Sequence, residues 1–275
     1  VSSGTAALHL AVIAAGVSDG DLVITTPFSF VASANVVLYE RAVPIFVDID
    51  PESLAIDPRR VEEAADAIAR GGRDAAAWLP PSLRPSRRRT PRRLAAVLPV
   101  HVFGRAADLD PLMALASRLD VPVIEDACEA IGTTYRGRAA GTIGRAGAFG
   151  FYPNKQMTTG EGGMFVTDDD GWAAVARSLR NQGREGHRWL DCDRLGYNYR
   201  LDELSAALGH AQLARIDELL ARRASVAAMY AERLAGHERV RMPSIDAPGA
   251  SWFVYVVRLD PCIDRDQGMR RLADL

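Results

Sequence analysis

Short apolar runs alternate with longer amphipathic stretches along the first 170 residues. The runs are nearly continuous in Val, Ile, Leu and Ala, as expected of strands that are buried on both faces of a sheet. Strands that alternate with helices pair in parallel, because each crossover helix returns the chain to the same edge of the sheet. The pattern therefore predicts an α/β fold with a mostly parallel sheet sandwiched by helices. The predicted strands are 21–25, 44–48, 94–101, 121–126, 147–151 and 164–167, and the predicted helices follow a cap at 2–5 and cover 28–39, 57–70, 110–119 and 168–184.

The pattern changes beyond residue 200. Leucines and alanines recur at helical spacing over residues 201–235, which predicts a long helix, and the apolar run 251–259 predicts a strand of a separate small domain. We therefore expect a large domain over residues 1–200, and a linker helix with part of a small α+β domain over residues 201–275. The chain opens inside a helix start and stops after a helical pattern, so we expect the C-terminal domain to be incomplete.

Composition and charge limit the class of protein. The chain has 275 residues, is 48% hydrophobic and carries a formal net charge of -2, which favours a folded protein and gives no electrostatic reason to bind nucleic acid or a membrane surface. No apolar run approaches the roughly 20 residues that span a bilayer. One basic cluster lies in a loop predicted over residues 78–93, where a solvated loop is favoured over nucleic-acid binding. Its members are Arg84, Arg87, Arg88, Arg89, Arg92 and Arg93.

The cysteines point to a reducing compartment. Cys128, Cys192 and Cys262 are far apart, odd in number and without metal-ligand spacing. This pattern predicts neither a disulfide framework nor a metal site. A cytoplasmic location is therefore expected.

One lysine lies in a short, turn-rich segment between two apolar runs. Lys155 follows the predicted strand 147–151 and precedes the predicted strand 164–167. A buried ammonium group is strongly disfavoured, so such a lysine pairs with a carboxylate, loses its proton or forms a covalent bond such as a Schiff base. An exposed hairpin turn is the alternative interpretation.

Three other features are suited to hold an anionic cofactor with a cationic ring. Gly4 and Thr5 open a helix, where free amides, the helix dipole and a hydroxyl group can bind a phosphate; an ordinary helix cap is the alternative. Asp126 ends a buried strand, where its carboxylate can keep a pyridine nitrogen protonated or can cap the next turn. Phe30 offers an aromatic face for ring stacking or for core packing.

Together with Lys155, seven sequence segments resemble the DegT/DnrJ/EryC1/StrS family of pyridoxal-phosphate-dependent sugar aminotransferases, which have fold type I. The resemblance runs almost from end to end, with the segments in the family's order. They are SGTAAL (3–8), PFSFVASAN (27–35), PIFVDID (44–50), PVHVFG (99–104), EDACEA (125–130), TGEGG (159–163) and GYNYR (196–200).

The resemblance implies a role for each matching residue. Lys155 matches the family's Schiff-base lysine, Asp126 the partner of the pyridinium nitrogen, and Phe30 the stacking aromatic. Gly4 and Thr5 match the phosphate-binding helix start. Asn198 matches an asparagine that the family lends to the neighbouring subunit's phosphate, which implies a homodimer with shared active sites. Tyr152, His187 and Arg200 are candidate substrate residues, and each is equally explained by a structural role.

The implied reaction transfers an amino group from an amino acid, glutamate or glutamine, to a keto carbon of a nucleotide-linked sugar. Such a reaction serves amino-sugar or polysaccharide biosynthesis. A pyridoxal-phosphate-dependent sugar dehydratase and a non-catalytic binding protein are the alternatives within the family. Lys155 argues against the dehydratase, whose members typically have histidine at this position. A dinucleotide-dependent enzyme is disfavoured, because no G-x-G-x-x-G turn follows the first strand.

The chain departs from the family pattern at three places. Glu129 stands where glutamine is usual near the cofactor's phenolic oxygen, and a carboxylate there would repel a phenolate unless one of the two is protonated. Gly150 stands where many relatives have a serine whose hydroxyl group binds the phosphate. The loop at 78–93 is longer than usual, and we expect it to be peripheral.

Overall fold

The computed structural model of the protein describes residues 1–81, 92–185, 191–244 and 249–274. In these residues the main sheet is built from β1 (Leu22–Thr25), β2 (Val43–Phe46), β3 (Leu94–Val97), β4 (Ile124–Asp126), β7 (Ala146–Gly150) and β8 (Gly163–Val166). Parallel bridges from Val97 to Val123 and from Val100 to Asp126 join the trio β2-β1-β3 to the trio β4-β7-β8. The strands pair in parallel except for β7 and β8, which are antiparallel. The mostly parallel sheet is therefore confirmed.

Helices cover both faces of this sheet. Leu22 and Ile24 of β1 pack in one apolar cluster with α3 (Pro58–Arg70) and α5 (Leu109–Leu119), whereas Val23 packs in a second cluster with α1 (Gly4–Ala14) and α2 (Ala32–Tyr39). Successive side chains of a strand point to opposite faces, so this division places the sheet between two helical layers. Two further helices, α4 (Gly72–Trp78) and α6 (Asp170–Arg180), lie in the described part of the first 185 residues.

Several predicted elements are shorter than their patterns suggested. The helix expected from residue 28 begins at Ala32, because residues 28–31 form a turn in which the Phe30 carbonyl accepts from the Ser33 amide. The predicted strand 94–101 ends its regular pairing at Val97. The long helix expected over 201–235 is two helices, α7 (Glu203–Leu213) and α8 (Ile216–Leu234).

The strand predicted over residues 251–259 is wrong for most of its length. Only Arg258–Leu259 forms a strand, β10, which pairs with β9 (Val240–Arg241). Trp252 has a φ of 50°, and the amides of Ser251 and Phe253 donate to the carbonyls of Gly104 and Phe103. Trp252 and Phe253 are thus buried beside the 103–104 turn, whereas Val254 and Val257 are exposed, so tertiary packing replaces the strand that local propensity favoured.

The described residues also contain the hairpin of β5 (Thr134–Tyr135) and β6 (Arg138–Ala139), a 3₁₀ turn at Val102–Gly104, and the helix α9 (Arg265–Ala273). The domain boundary at residue 200 stays a prediction. Within the described ranges, no helix is both long and apolar enough to cross a membrane.

Two arginines of the basic cluster are tied to the fold. Arg93 Nη2 lies 2.5 Å from Asp21 Oδ2, and Arg92 Nη1 donates to the Gly20 carbonyl at 2.8 Å. The other four, Arg84, Arg87, Arg88 and Arg89, lie outside the described residues.

Candidate active site

The start of α1 lies against the ends of two other segments. Ser3 caps the helix, with its hydroxyl oxygen accepting from the Ala6 amide at 3.0 Å. A Cβ at Gly4 would lie 2.7 Å from Cys128 Sγ and 3.1 Å from Gly150 Cα, so only glycine permits this close approach. The amides of Gly4 and Thr5 precede the first intrahelical bonds, and no other described residue accepts from them. These two amides are therefore free to bind an anion.

Asp126 lies at the end of β4 with 5% of its surface exposed. Its Oδ2 accepts from the Ser33 hydroxyl at 2.6 Å, and its Oδ1 accepts from the Cys128 amide at 3.1 Å. Among the described residues, no lysine or arginine is paired with this carboxylate. A buried carboxylate without a cation is costly, so this arrangement suits a positively charged group supplied by a ligand.

Lys155 lies in the connection between β7 and β8, with 14% of its side chain exposed. Its Nζ is 3.5 Å from Glu129 Oε1 and 4.2 Å from the centroid of the Phe253 ring, in cation-π geometry. The other oxygen of Glu129 accepts from the Phe103 amide at 3.0 Å. The structure therefore supplies the carboxylate partner that a half-buried lysine requires.

A second group of residues holds the backbone around Lys155. Arg223 of α8 donates to the carbonyls of Lys155, Trp252 and Phe253, at 2.8, 3.2 and 2.9 Å. Gln156 Nε2 donates to the Glu129 carbonyl at 2.6 Å and to Ser251 Oγ at 2.8 Å. Helix α8 and the 251–253 segment thus become part of the lysine site.

A fully buried, hydrogen-bonded pair of His101 and Glu125 lies next to Asp126. His101 Nε2 donates to Glu125 Oε2 at 2.8 Å, while His101 Nδ1 accepts from the Ala107 amide at 3.0 Å. The two bonds fix the neutral imidazole with its proton on Nε2. Burial by itself would raise the pKa of Glu125, but the bonds from His101 and from the amides of Gly144 and Gly141 outweigh it and lower that pKa.

Cys128 is a partly buried residue beside this cluster, and its thiol donates to the Ala148 carbonyl at 3.6 Å. Burial and the nearby Asp126 carboxylate raise the pKa of Cys128 well above its ordinary value. The thiol therefore stays protonated and acts as a packing group rather than as a nucleophile.

The side chains of the other described residues singled out in the sequence make no contact with the Lys155 amine, whose partners are Glu129 and Phe253. Phe30 is 72% exposed and its ring has no aromatic partner among the described residues. Tyr152 is half exposed and contributes its carbonyl to the Lys155 amide at 2.9 Å. Asn198 is exposed in a bridge with Asn181, and Arg200 Nη1 donates to Asn181 Oδ1 at 2.9 Å. His187 lies outside the described residues.

Sequence reasoning missed several residues of the site. Ser33 lies inside the quoted segment 27–35, so its position three residues after Phe30 was available as a signal. The Phe103 amide also belongs to a quoted segment, although a backbone group leaves no trace in residue type. Arg223 and Phe253 have no local signal, because only the packing of α8 and residues 251–253 brings them to Lys155.

Comparison with known proteins identifies the family of the chain. The chain is 40% identical over its whole length to GDP-perosamine synthase of Caulobacter vibrioides, of which it covers 68%. It is 37% identical over its whole length to EpsN of Bacillus subtilis, a putative pyridoxal phosphate-dependent aminotransferase, of which it covers 66%. A crystal structure of an aminotransferase from Brucella abortus superposes on 99% of the chain with a TM-score of 0.85 at 30% identity, and the chain covers 67% of it.

The chain thus spans about two thirds of the length of the relatives it matches. The family profile itself is matched over residues 1–274. The match covers the free helix start at Gly4, the buried Asp126 and the lysine-carboxylate pair of Lys155 and Glu129. The chain belongs to the DegT/DnrJ/EryC1/StrS aminotransferase family.

Proposed function

We propose that the protein transfers an amino group from glutamate or glutamine to a keto carbon of a nucleotide-linked sugar, with pyridoxal phosphate as its cofactor. The observation that carries this proposal is the Lys155 amine, held 3.5 Å from Glu129 in a site that also contains a buried carboxylate without a cation. The similarity to GDP-perosamine synthase supports a nucleotide-linked sugar as the acceptor.

The described residues fit the cofactor's phosphate. The amides of Gly4 and Thr5 are free, and the helix dipole of α1 favours negative charge at this end. Gly150 lies beside them, with its Cα 3.1 Å from the position that a Cβ on Gly4 would take. A phosphate here would receive backbone amides and the Thr5 hydroxyl, without the serine hydroxyl that many relatives supply at position 150.

Asp126 and Ser33 fit a protonated ring nitrogen. Asp126 Oδ1 and Oδ2 are held by the Cys128 amide and by the Ser33 hydroxyl, so the carboxylate has a fixed direction. When bound, pyridoxal phosphate supplies an aldehyde that captures the amino group and a ring that takes up the electron pair left after proton removal. Asp126 would stabilise positive charge at the ring nitrogen, which would favour that uptake of electrons.

The Lys155 amine is positioned to transfer protons. Its Nζ is held by Glu129 on one side and by the Phe253 ring on the other, and its backbone is fixed through Arg223. In its neutral form, an amine so positioned could take the proton from the amine-bearing carbon of the amino acid and deliver it to the cofactor carbon that receives the amino group. In the half-reaction with the sugar it could move a proton in the opposite direction. The Phe103 amide and the Lys155 amine offset the repulsion that the Glu129 carboxylate would exert on a phenolic oxygen.

The proposal includes a homodimer with shared sites, in a reducing, cytoplasmic compartment. Asn198 is exposed in a single chain, as a residue lent to a neighbouring subunit would be. Mixing inactive Lys155→Ala and inactive Asn198→Ala subunits tests sharing, because some heterodimers then carry one intact site. Recovery of activity on mixing is expected, and its absence would reject shared sites. Cys128, Cys192 and Cys262 are free thiols, which suits a reducing environment.

The central experiment loads the purified protein with pyridoxal phosphate and follows its visible absorbance. We expect borohydride reduction to fix the cofactor on Lys155, as shown by peptide mapping, and glutamate to change the absorbance in the absence of a sugar. Lys155→Ala should abolish both results, whereas Arg138→Ala, at an exposed residue of β6, should leave both unchanged. A non-catalytic binding protein would keep its absorbance unchanged on addition of glutamate.

A further inference from the structure

Arg105 carries a partly buried guanidinium that has no partner in the described part of the chain. It follows the 3₁₀ turn at Val102–Gly104 and donates its backbone amide to the Val102 carbonyl at 3.0 Å. No carboxylate, carbonyl or hydroxyl of the described residues is bonded to its side chain. Burial alone lowers the pKa of Arg105, with no opposing charge to offset it. Guanidinium groups in folded proteins usually meet an anion, so this one is suited to meet a ligand.

The cavity beside Arg105 has the charge that an anion needs. Its volume is about 380 Å³, and among the described residues that line it two are arginines and none is acidic. The second arginine, Arg136, is paired with Asp110 at 2.7 Å, but that carboxylate lies outside the lining. The wall also offers the hydroxyls of Ser53 and Thr134. A larger cavity of about 860 Å³ adjoins it and shares Ser53, Ala106, Tyr135 and Arg136.

The wall of this cavity is continuous with the support of Lys155. Thr133 Oγ1 donates to the Gly104 carbonyl at 2.8 Å and also lies 2.8 Å from Ser251 Oγ, which in turn accepts from Gln156. The chain neighbours of these residues, Arg105, Thr134 and Ala250, line the cavity. Arg105 is also only two residues after Phe103, a separation of at most about 7 Å along the chain.

We propose that Arg105 is the main anchor of a subsite for the diphosphate of the nucleotide-linked substrate. This inference rests on the proposed function, because a diphosphate is attached directly to the sugar that must reach Lys155. A diphosphate carries several negative charges and matches a guanidinium fork better than a single carboxylate does. The adjoining larger cavity leaves room for the nucleoside beyond it. Arg136 and the hydroxyls of Ser53 and Thr134 complete the subsite.

The test measures diphosphate binding directly on the cofactor-loaded protein. Inorganic pyrophosphate, GDP, UDP and dTDP are titrated by calorimetry into the wild type, Arg105→Ala, Arg105→Lys and Arg138→Ala. Arg138 is the matched control, since it belongs to the same hairpin as Arg136 but does not line the cavity. We expect Arg105→Ala to weaken the binding of pyrophosphate by about ten- to a hundredfold, as the loss of a charge-assisted bond predicts. Arg105→Lys should retain part of the affinity, and Arg138→Ala all of it.

Steady-state kinetics then distinguish an effect on substrate binding at this subsite from an effect on the chemical reaction. Arg105→Ala should raise the KM for the nucleotide-linked sugar by tenfold or more, change kcat by less than threefold and leave the half-reaction with glutamate unchanged. Wild-type protein that does not bind pyrophosphate, an Arg105→Ala variant that binds it equally well, or an unchanged KM would overturn the subsite. Failure of the wild type to react with glutamate would instead refute the proposed function. An altered half-reaction in Arg105→Ala would also count against the subsite, because it would show a general structural effect.

Discussion

Replacing Glu125 with glutamine should destabilise the whole sheet edge that carries Asp126. The carboxylate is fully buried and accepts four hydrogen bonds: from His101 Nε2 at 2.8 Å, and from the amides of Gly141, Ile143 and Gly144 at 2.7, 2.6 and 2.5 Å. Two donors face each oxygen. A glutamine can satisfy only one of these pairs, because its amide nitrogen would point its own hydrogens at the other pair.

The size of this destabilisation follows from the two hydrogen-bond donors that glutamine leaves without an acceptor. His101 cannot reverse its tautomer to help, since its Nδ1 already accepts from the Ala107 amide. Each unsatisfied buried donor costs about 1–3 kcal/mol, so Glu125→Gln should lower the free energy of unfolding by about 2–6 kcal/mol. That is a large part of the about 5–15 kcal/mol that a typical domain has.

Urea unfolding at neutral pH, followed by circular dichroism and tryptophan fluorescence, measures this loss. Glu62→Gln is the matched control, because Glu62 pairs with Arg118 at 3.1 Å on an exposed surface and its change should leave the midpoint nearly unmoved. A loss below about 1 kcal/mol for Glu125→Gln would refute the reasoning, because it would mean that the four donors find other acceptors.

The Glu125 carboxylate also determines how the stability of the protein changes with pH. The folded state lowers the pKa of Glu125, because the bonds from His101 and the loop amides outweigh burial. Its contribution to stability is therefore present above the unfolded pKa of about 4.3 and disappears as the pH falls through the lower folded value. The wild type should lose stability over this acidic range more steeply than Glu125→Gln does, and equal slopes would contradict the assignment.

Three further predictions concern the cofactor site. Gly150→Ser should be accommodated, because a Cβ there would make only ordinary contacts with Cys128, at 3.4 Å or more. The added hydroxyl group should increase the affinity for pyridoxal phosphate several-fold, as measured by fluorescence titration. Weaker binding would refute this prediction. Gly4→Ala should instead weaken cofactor binding strongly, since its Cβ would lie 2.7 Å from Cys128 Sγ, and unaltered affinity would show that the helix start can shift. Asp126→Asn should reduce the rate of the glutamate half-reaction by about a hundredfold or more in stopped-flow absorbance. An unaltered rate would exclude Asp126 as the ring-nitrogen partner.

Much of the fold could be read from the chain alone. The strands around β1, β2 and β4 and the helices α3 and α5 were predicted within a few residues, because buried parallel strands and amphipathic helices have strong local patterns. The predicted strand 251–259 failed for a physical reason. Its Trp252 and Phe253 gain more from burial against the 103–104 turn than from pairing in a sheet, and no local pattern encodes that choice.

The sequence by itself determined the alternation of strands and helices, a helix cap within residues 2–5, the lysine between two strands and the acidic end of β4. It also marked Glu129 as unusual. Only the tertiary structure decided that Glu129 holds Lys155 at 3.5 Å, that Ser33 holds Asp126 and that Arg223 supports the lysine backbone. Residue type and spacing determine local conformation, whereas these contacts join residues from 26 to 93 positions apart, and only the packing of separate elements sets their distances.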